Sequence, residues 1–197
     1  MPVEQQSKRK KFRDVKSHPN GLRGTDWPEN KTGPFIWIDE AGMGSWAGPL
    51  HVAGIVLLNN VNVGAVHDSK LMNDHERYVK FQELINSYNV LYHIEVVKND
   101  VIDDLHLGRS WKMAIQNCVE ALIEKSDQKI EKVYLDGNKD VDGLPIPLET
   151  ITKGDSKFSG IACASVLAKV SRDLYMRSVA CDHPDFYKIF HNGSGYH

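Results

Sequence analysis

The chain has 197 residues, a formal net charge of −2, and contents of 41% hydrophobic and 25% charged residues. These values are typical of a single globular domain that buries its own core, and the balanced charge does not by itself indicate a nucleic-acid partner. No apolar stretch approaches the roughly 18 residues that a membrane-spanning helix needs, so we expect no membrane association. The three cysteines lack the pairwise spacing of a zinc site and indicate reduced thiols in an intracellular protein.

Residues 1–33 combine proline, asparagine, glycine and charge without an apolar period. They are predicted to form a flexible arm that precedes a folded domain of residues 34–197. Six basic residues lie between Lys8 and Lys16, around the single acid Asp14. This run is either a solvated tail or a weak contact for nucleic-acid phosphates. We expect the protein in the cytoplasm, or in the nucleus if the chain is eukaryotic or this arm is a targeting signal.

The apolar pattern of the remaining chain predicts strands first and then an alternation of helices and strands. In chain order it predicts strands at 35–40 and 50–58, a helix at 75–87, a strand at 90–97, a helix at 110–125, strands at 132–137 and near 148–151, and a helix at 157–181. This order indicates an α/β domain with a mixed sheet.

Two adjacent acids, Asp39 and Glu40, end the first predicted strand. Both faces of that strand are apolar, so we expect it to be central and covered on both sides. The acids either form a solvated pair or converge on a metal or phosphate, which requires the chain to curl at Gly42 and Gly44.

Two further acids occupy positions where a carboxylate is costly unless it is used. Asp136 ends its own strand and is followed by a glycine, which is also the pattern of a simple turn. Asp173 lies on the apolar stripe of the last helix, where a buried charge needs a partner. Lys169 and Arg177, one turn away on either side, would make it an ordinary helical ion pair.

A site built from these four carboxylates would favour a hard divalent cation. Mg²⁺ and Mn²⁺ prefer oxygen ligands, and the sequence has no cysteine or histidine cluster that favours a softer metal. A pair of such ions about 3.5–4 Å apart activates water and stabilises the leaving oxygen of a phosphodiester. The acids therefore indicate metal-assisted phosphoryl hydrolysis.

Five segments resemble, in order, the motifs of ribonuclease HII, the type 2 ribonucleases H. They are residues 38–44 with 47–49, 68–71, 135–137, 153–173 and 193–196. The last reads Gly-Ser-Gly-Tyr, the form typical of archaeal and eukaryotic members. The resemblance covers about residues 35–197 and implies a ribonuclease H-like fold, in which helices flank a mixed five-stranded sheet.

The resemblance also implies an activity and its residues. It implies a metal-dependent endoribonuclease that cuts RNA in RNA–DNA hybrids and at ribonucleotides embedded in duplex DNA, as in replication and repair. The products would carry 3′-hydroxyl and 5′-phosphate ends. We expect a monomer, with accessory subunits left open. The matching catalytic and metal-binding residues are Asp39, Glu40, Asp136 and Asp173, which would hold Mg²⁺ or Mn²⁺, two ions with substrate.

Six positions match the family's substrate contacts. The loop Gly42-Met43-Gly44 would read the ribose 2′-hydroxyl mainly through backbone groups, and Tyr196 would pack on the following sugar. Lys70 and Lys157 match lysines that lie near the nucleic-acid backbone, although a solvated surface lysine is an equal alternative at each.

The sequence departs from the family at three places. Met43 replaces an arginine, which removes a guanidinium contact with the substrate. Trp46 lies in a changed pair after the glycine loop; we expect it in the core, with stacking on a sugar as the alternative. The last motif is followed by His197 alone, so we expect a short C-terminal end.

Two other functions compete with this one. A non-catalytic hybrid-binding or scaffold protein of the same descent is disfavoured because all four acids are present. Ribonuclease HIII is disfavoured by the segment 168–173, which ends at Asp173 in a pattern that differs from the type 3 form.

Overall fold

The computed structural model describes residues 34–58, 63 and 72–183. The basic arm, Lys70 and Tyr196 therefore lie outside the described residues. The strands are β1 (Phe35–Ala41), β2 (Leu50–Leu57), β3 (Val90–Val97), β4 (Lys132–Asp136) and β5 (Leu148–Ile151). The helices are α1 (Asp74–Ile85), α2 (Asn99–Leu105), α3 (Leu107–Lys125) and α4 (Ser159–Asp182), with a 3-10 turn at Gly154–Ser156.

The five strands form one mixed sheet in the order β3-β2-β1-β4-β5. β1 pairs antiparallel with β2, which pairs antiparallel with β3. On its other side β1 pairs parallel with β4, which pairs parallel with β5. The predicted α/β fold with a mixed five-stranded sheet and flanking helices is thus confirmed.

The central position of β1 follows from its two apolar faces. Phe35 and Trp37 belong to the core on the α4 side of the sheet, where Trp37 stacks on Tyr134 with ring centroids 4.8 Å apart. Ile36 and Ile38 belong to a second core on the α3 side. The expectation that β1 is covered on both sides is confirmed, and its alternation sends consecutive residues to opposite layers.

The structure differs from the predicted elements at two places. Helix α2 was not predicted, because its seven residues contain four charged or amide side chains, no buried residue and only a short apolar pattern. Helix α4 begins at Ser159 instead of residue 157. The amides of Lys157 and Phe158 both donate to the carbonyl of Gly154, which closes the 3-10 turn before the helix starts. Among the helices of the described residues, none is long and apolar enough to cross a membrane.

Helix α4 approaches the sheet closely where it carries no side chain. A Cβ placed on Gly160 would lie 2.3 Å from two ring carbons of Trp37. The glycine therefore sets the distance between the helix and the central strand, because the indole fills the space that a methyl group would need.

We expect Gly160→Ala to lower the free energy of unfolding by about 1–3 kcal/mol, the usual cost of overpacking a core. Gly108→Ala is the matched control, since Gly108 is also helical and a Cβ there would meet nothing within 4 Å. The control should be neutral or slightly stabilising, because alanine favours helix more than glycine does. Urea unfolding of both variants measures the difference. Equal stability of the two variants would contradict this account of α4 packing.

Candidate active site

Two of the predicted acids lie side by side because their strands are parallel neighbours. The register of β1 against β4 pairs Ile38 with Leu135. Asp39 and Asp136 are the next residues of their strands. Since parallel strands have their carboxyl ends on the same side of the sheet, both side chains lie at the carboxyl ends of these two neighbouring strands.

Asp39 is the most deeply buried of these acids, with 6% of its surface exposed. Its Oδ1 accepts a hydrogen bond of 2.8 Å from the backbone amide of Glu40. Burial first, and then the negative charge of Glu40, raise the pKa of Asp39 well above its usual range. A hydrogen bond with Ser165 opposes that rise, and the charge of Asp136 adds to it. Glu40 and Asp136 are therefore both close enough to repel the carboxylate of Asp39.

Hydrogen bonds from two other elements anchor the remaining two carboxylates. Trp111 of α3 donates from Nε1 to Oε2 of Glu40 at 3.2 Å, on the α3 side of the sheet. The backbone amide of Gly154 donates to Oδ1 of Asp136 at 2.6 Å. Each acid is thus oriented by a donor from a separate part of the chain.

The glycine loop after β1 is built around a buried arginine. Gly42 has φ +113°, and a Cβ there would lie 2.7 Å from the carbonyl oxygen of Pro49 and 2.8 Å from Nε of Arg172. Arg172 is 1% exposed and donates from Nε to that same carbonyl at 2.9 Å. The loop therefore needs a residue without a side chain at this point.

The acids and the glycine loop line one hollow of about 300 Å³. Helices α1 and α4 supply one cation each to its wall, and α4 also supplies a serine. The lining residues are Asp39, Glu40, Ala41, Gly42, Met43, Gly44, Arg77, Asp136, Ser165 and Lys169. Six of the predicted site residues thus share one concave surface.

The fourth predicted acid, Asp173, lies in a neighbouring hollow between α1 and α4. Lys169 donates to its Oδ1 at 2.6 Å, as the ion-pair alternative anticipated. Burial raises the pKa of Asp173, and the hydrogen bond and charge of Lys169 oppose that rise. Arg77 lines both hollows.

The other predicted positions have mixed outcomes. Lys157 is exposed, and its ammonium donates to the carbonyl of Thr152 at 2.7 Å. Lys70 and Tyr196 lie outside the described residues. Within the described ranges, no three or more His, Cys, Asp or Glu side chains are grouped as metal ligands. The gathering of all four acids stays a prediction.

The expectation that Trp46 lies in the core is wrong, because 81% of the residue is exposed. The space beneath the loop is already filled. Arg172 donates from Nη2 to the carbonyl of Ala47 at 2.6 Å, and a Cβ on Gly48 would lie 2.4 Å from Sδ of Met176. These two side chains leave no room for an indole.

The sequence reasoning missed several residues that shape the site. Ser165 bonds to Asp39, Lys169 bonds to Asp173, Arg77 lines both hollows, and Arg172 supports the loop. For Arg172 a signal was available. It lies one turn from Met176 on the buried face of α4, where a cation needs acceptors from elsewhere in the fold.

His51 of β2 is buried beside this arginine, with 1% of its surface exposed. Its Nδ1 lies 2.9 Å from Oγ of Ser171, and Nε2 has no hydrogen-bond partner among the described residues. Burial, and then the charge of Arg172, lower the pKa of His51 to about 4. The folded protein therefore holds this imidazole neutral.

A profile of the family described as ribonuclease HII matches residues 36–197. A ribonuclease HII from Endomicrobium trichonymphae is 37% identical over 163 residues, which cover 82% of this chain and 75% of that protein. The PCNA:RNase HII complex from Archaeoglobus fulgidus matches with a TM-score of 0.64 at 24% identity, over 83% of this chain and 81% of that one. Bst-RNase HIII in complex with Mn²⁺ matches with a TM-score of 0.64 at 18% identity, over 76% of this chain and 55% of that one. At such identities, the two structures show the fold alone.

The buried His51 predicts a loss of stability in mild acid. Its pKa is about 4 in the folded chain against an ordinary 6.5. Between these values the unfolded chain binds a proton that the folded chain does not. Stability should therefore fall as the pH drops from about 6.5 to about 4, by up to about 3 kcal/mol.

Urea unfolding midpoints, measured across that range for the wild type and His51→Gln, test the assignment. The variant should lose less stability on acidification, because glutamine does not titrate. Identical pH slopes for the two proteins would show that His51 is not the group responsible.

Proposed function

The chain belongs to the ribonuclease HII family and is a type 2 ribonuclease H, and on that premise we propose its substrate, products and chemistry. It is an endonuclease that cuts the RNA strand of RNA–DNA hybrids, and duplex DNA at embedded ribonucleotides. It leaves 3′-hydroxyl and 5′-phosphate ends. Because nucleic acid is its substrate, it acts inside the cell, in ribonucleotide removal during DNA replication and repair.

One observation carries the proposal. Asp39, Glu40 and Asp136 line the same hollow as the loop 42–44. Three carboxylates in one hollow are typical of phosphodiester hydrolysis, and a glycine-rich backbone beside them lets a ribose come close. The loop that borders the hollow carries the exposed residues Gly44 and Trp46, which are accessible to a substrate.

The oxygen donors of Asp39, Glu40 and Asp136 have the chemistry that a hard divalent cation prefers, although the three side chains are not grouped as ligands among the described residues. All three side chains offer oxygen, and burial together with mutual repulsion raises the pKa of Asp39, which a bound cation would reverse. We assign Mg²⁺ or Mn²⁺ to this site, as a pair with substrate. Bst-RNase HIII, solved with Mn²⁺, has the same fold. When bound, the ions would activate water and neutralise charge on the phosphate.

Asp173 would complete the set as the fourth ligand. In the structure its carboxylate is held by Lys169 at 2.6 Å. Opening of this ion pair would release the ammonium of Lys169, which already lines the hollow, to contact a substrate phosphate. The ion pair with Lys169 thus compensates the charge of the buried Asp173 carboxylate while no metal is bound.

The loop 42–44 is assigned to ribose recognition. Its turn is closed by Ser45, whose amide and hydroxyl both donate to the carbonyl of Gly42, at 3.2 and 2.8 Å. A fixed turn presents the backbone of the exposed Gly44 in a constant position, and backbone groups can bond a 2′-hydroxyl that DNA lacks. Tyr196 and Lys70 remain assigned to the sugar and the phosphate backbone by resemblance.

Replacing Asp39 or Asp136 by asparagine should lower cleavage of a duplex with one ribonucleotide by roughly 10²-fold or more, because a neutral amide is a weaker ligand and leaves transition-state charge uncompensated. Binding of the uncut duplex should change little. Asp127→Asn is the control, since Asp127 is exposed in the segment before β4, near the amino end of the strand whose carboxyl end carries Asp136. Cleavage assays with Mg²⁺ or Mn²⁺, beside a uniform hybrid, measure the loss. Wild-type rates in either site variant would refute the assignment.

Met43→Arg should tighten hybrid binding roughly 3- to 10-fold at low salt, because it adds a cation beside the phosphates. The gain should shrink as salt rises, and the preference for ribose should not change, because backbone groups provide it. Met43 is half-buried against the α3-side core and lines the hollow. Met43→Gln separates charge from size and should give no gain. Binding titrations at several salt concentrations decide, and a change in ribose preference would place the loop elsewhere.

A further inference from the structure

Trp46 is an exposed tryptophan in the loop that follows the glycine turn of the acidic hollow. It has 81% of its surface exposed, which is unusual for the largest apolar side chain. Gly44, two residues earlier, lines the hollow. Two residues of chain span at most about 7 Å, so the indole lies within reach of a molecule bound there.

The backbone on both sides of Trp46 is fixed by one buried side chain. Nη2 of Arg172 donates to Oγ of Ser45 at 2.8 Å and to the carbonyl oxygen of Ala47 at 2.6 Å. Nε of the same guanidinium donates to Pro49 at 2.9 Å. Three loop residues are thus tied to helix α4, and the exposed indole projects from an ordered segment.

The same bonds join Trp46 to the glycine turn. Ser45 accepts from Arg172 and donates to the carbonyl of Gly42, so the turn and the tryptophan belong to one hydrogen-bonded unit. The backbone of Trp46 is therefore held in a fixed position relative to that of Gly44. Pre-organisation of this kind lowers the entropy lost when a contact forms.

The loop offers few other side chains for a contact. Residues 42–49 include no charged residue, and only Met43 and Trp46 have long side chains. Met43 is half-buried against the α3-side core. The indole is therefore the loop's principal contact surface beyond its backbone.

We propose that Trp46 is a substrate-contact residue, whose indole packs on a sugar ring of the duplex next to the nucleotide held by the glycine turn. The proposal rests on the proposed function. In a duplex the bases are stacked on one another, whereas the C–H faces of the sugars are open in the shallow minor groove of an A-form-like helix. An aromatic face that meets such a surface gains apolar contact without needing a particular base.

Steady-state cleavage of a duplex with one ribonucleotide tests the proposal with the full chain. Trp46→Ala should raise KM roughly 5- to 20-fold with kcat within about twofold, the effect expected for the loss of one aromatic contact. Trp46→Phe should restore most of the affinity. Tyr88→Ala is the matched control. Tyr88 is 99% exposed and lies just before β3, at the end of the strands opposite to the end that carries the acids. All variants should keep the wild-type melting temperature.

Binding in metal-free buffer provides a second measurement that needs no cleavage. Duplex should quench the tryptophan emission of the wild type, and Trp46→Phe should remove most of that change. A KM for Trp46→Ala within twofold of wild type, or quenching that persists in Trp46→Phe, would overturn the proposal and leave the indole to a protein partner. A wild type that binds and is quenched at Trp46 but does not cut would instead refute the proposed cleavage and support the contact.

Discussion

The parallel pairing of β1 with β4 is the constraint on which the site depends. The sheet is mixed, and β1 runs antiparallel to β2. Of the two neighbours of β1, only β4 therefore has its carboxyl end beside the carboxyl end of β1. The register places Asp39 beside Asp136, although 96 positions separate them. A slip of one residue would turn one carboxylate to the other face of the sheet. Both apolar cores enforce that register, because they pack on opposite faces of the same strand.

The arrangement has an electrostatic cost that the fold distributes. Burial and neighbouring charge disfavour ionised Asp39, while hydrogen bonds from Glu40 and Ser165 favour it. Asp173 is buried as well and takes Lys169 as its partner. A protein selected for stability alone would replace such groups with apolar side chains. Buried carboxylates beside two apolar cores lower the stability of the fold. Such a loss of stability is typical of enzyme sites, where the groups are needed for the reaction.

Arg172 connects helix α4 to the loop proposed to contact the substrate. It lies inside α4, yet its hydrogen bonds go to Ser45, Ala47 and Pro49, more than 120 positions away. Buried guanidinium groups need several acceptors, and the loop supplies them through its carbonyls and one hydroxyl. The loop's shape is therefore set from below by the helix that also carries Asp173. Packing of α4 on the sheet and presentation of the glycine turn cannot vary independently.

The sequence by itself determined the five strands, the central place of β1 and the position of two acids at strand ends, because alternation and strand-end position are local properties. It left two outcomes open that depend on distant contacts. Whether Trp46 packs inside depended on Arg172 and Met176, which fill the space beneath the loop from another element. The partner of Asp173 depended on its surroundings, since Lys169 bonds to it and Arg77 of α1 lines the same hollow. The local sequence pattern indicates which side chains are more stable when they are buried or paired. Only the tertiary structure decides which of them are buried and which partners they find.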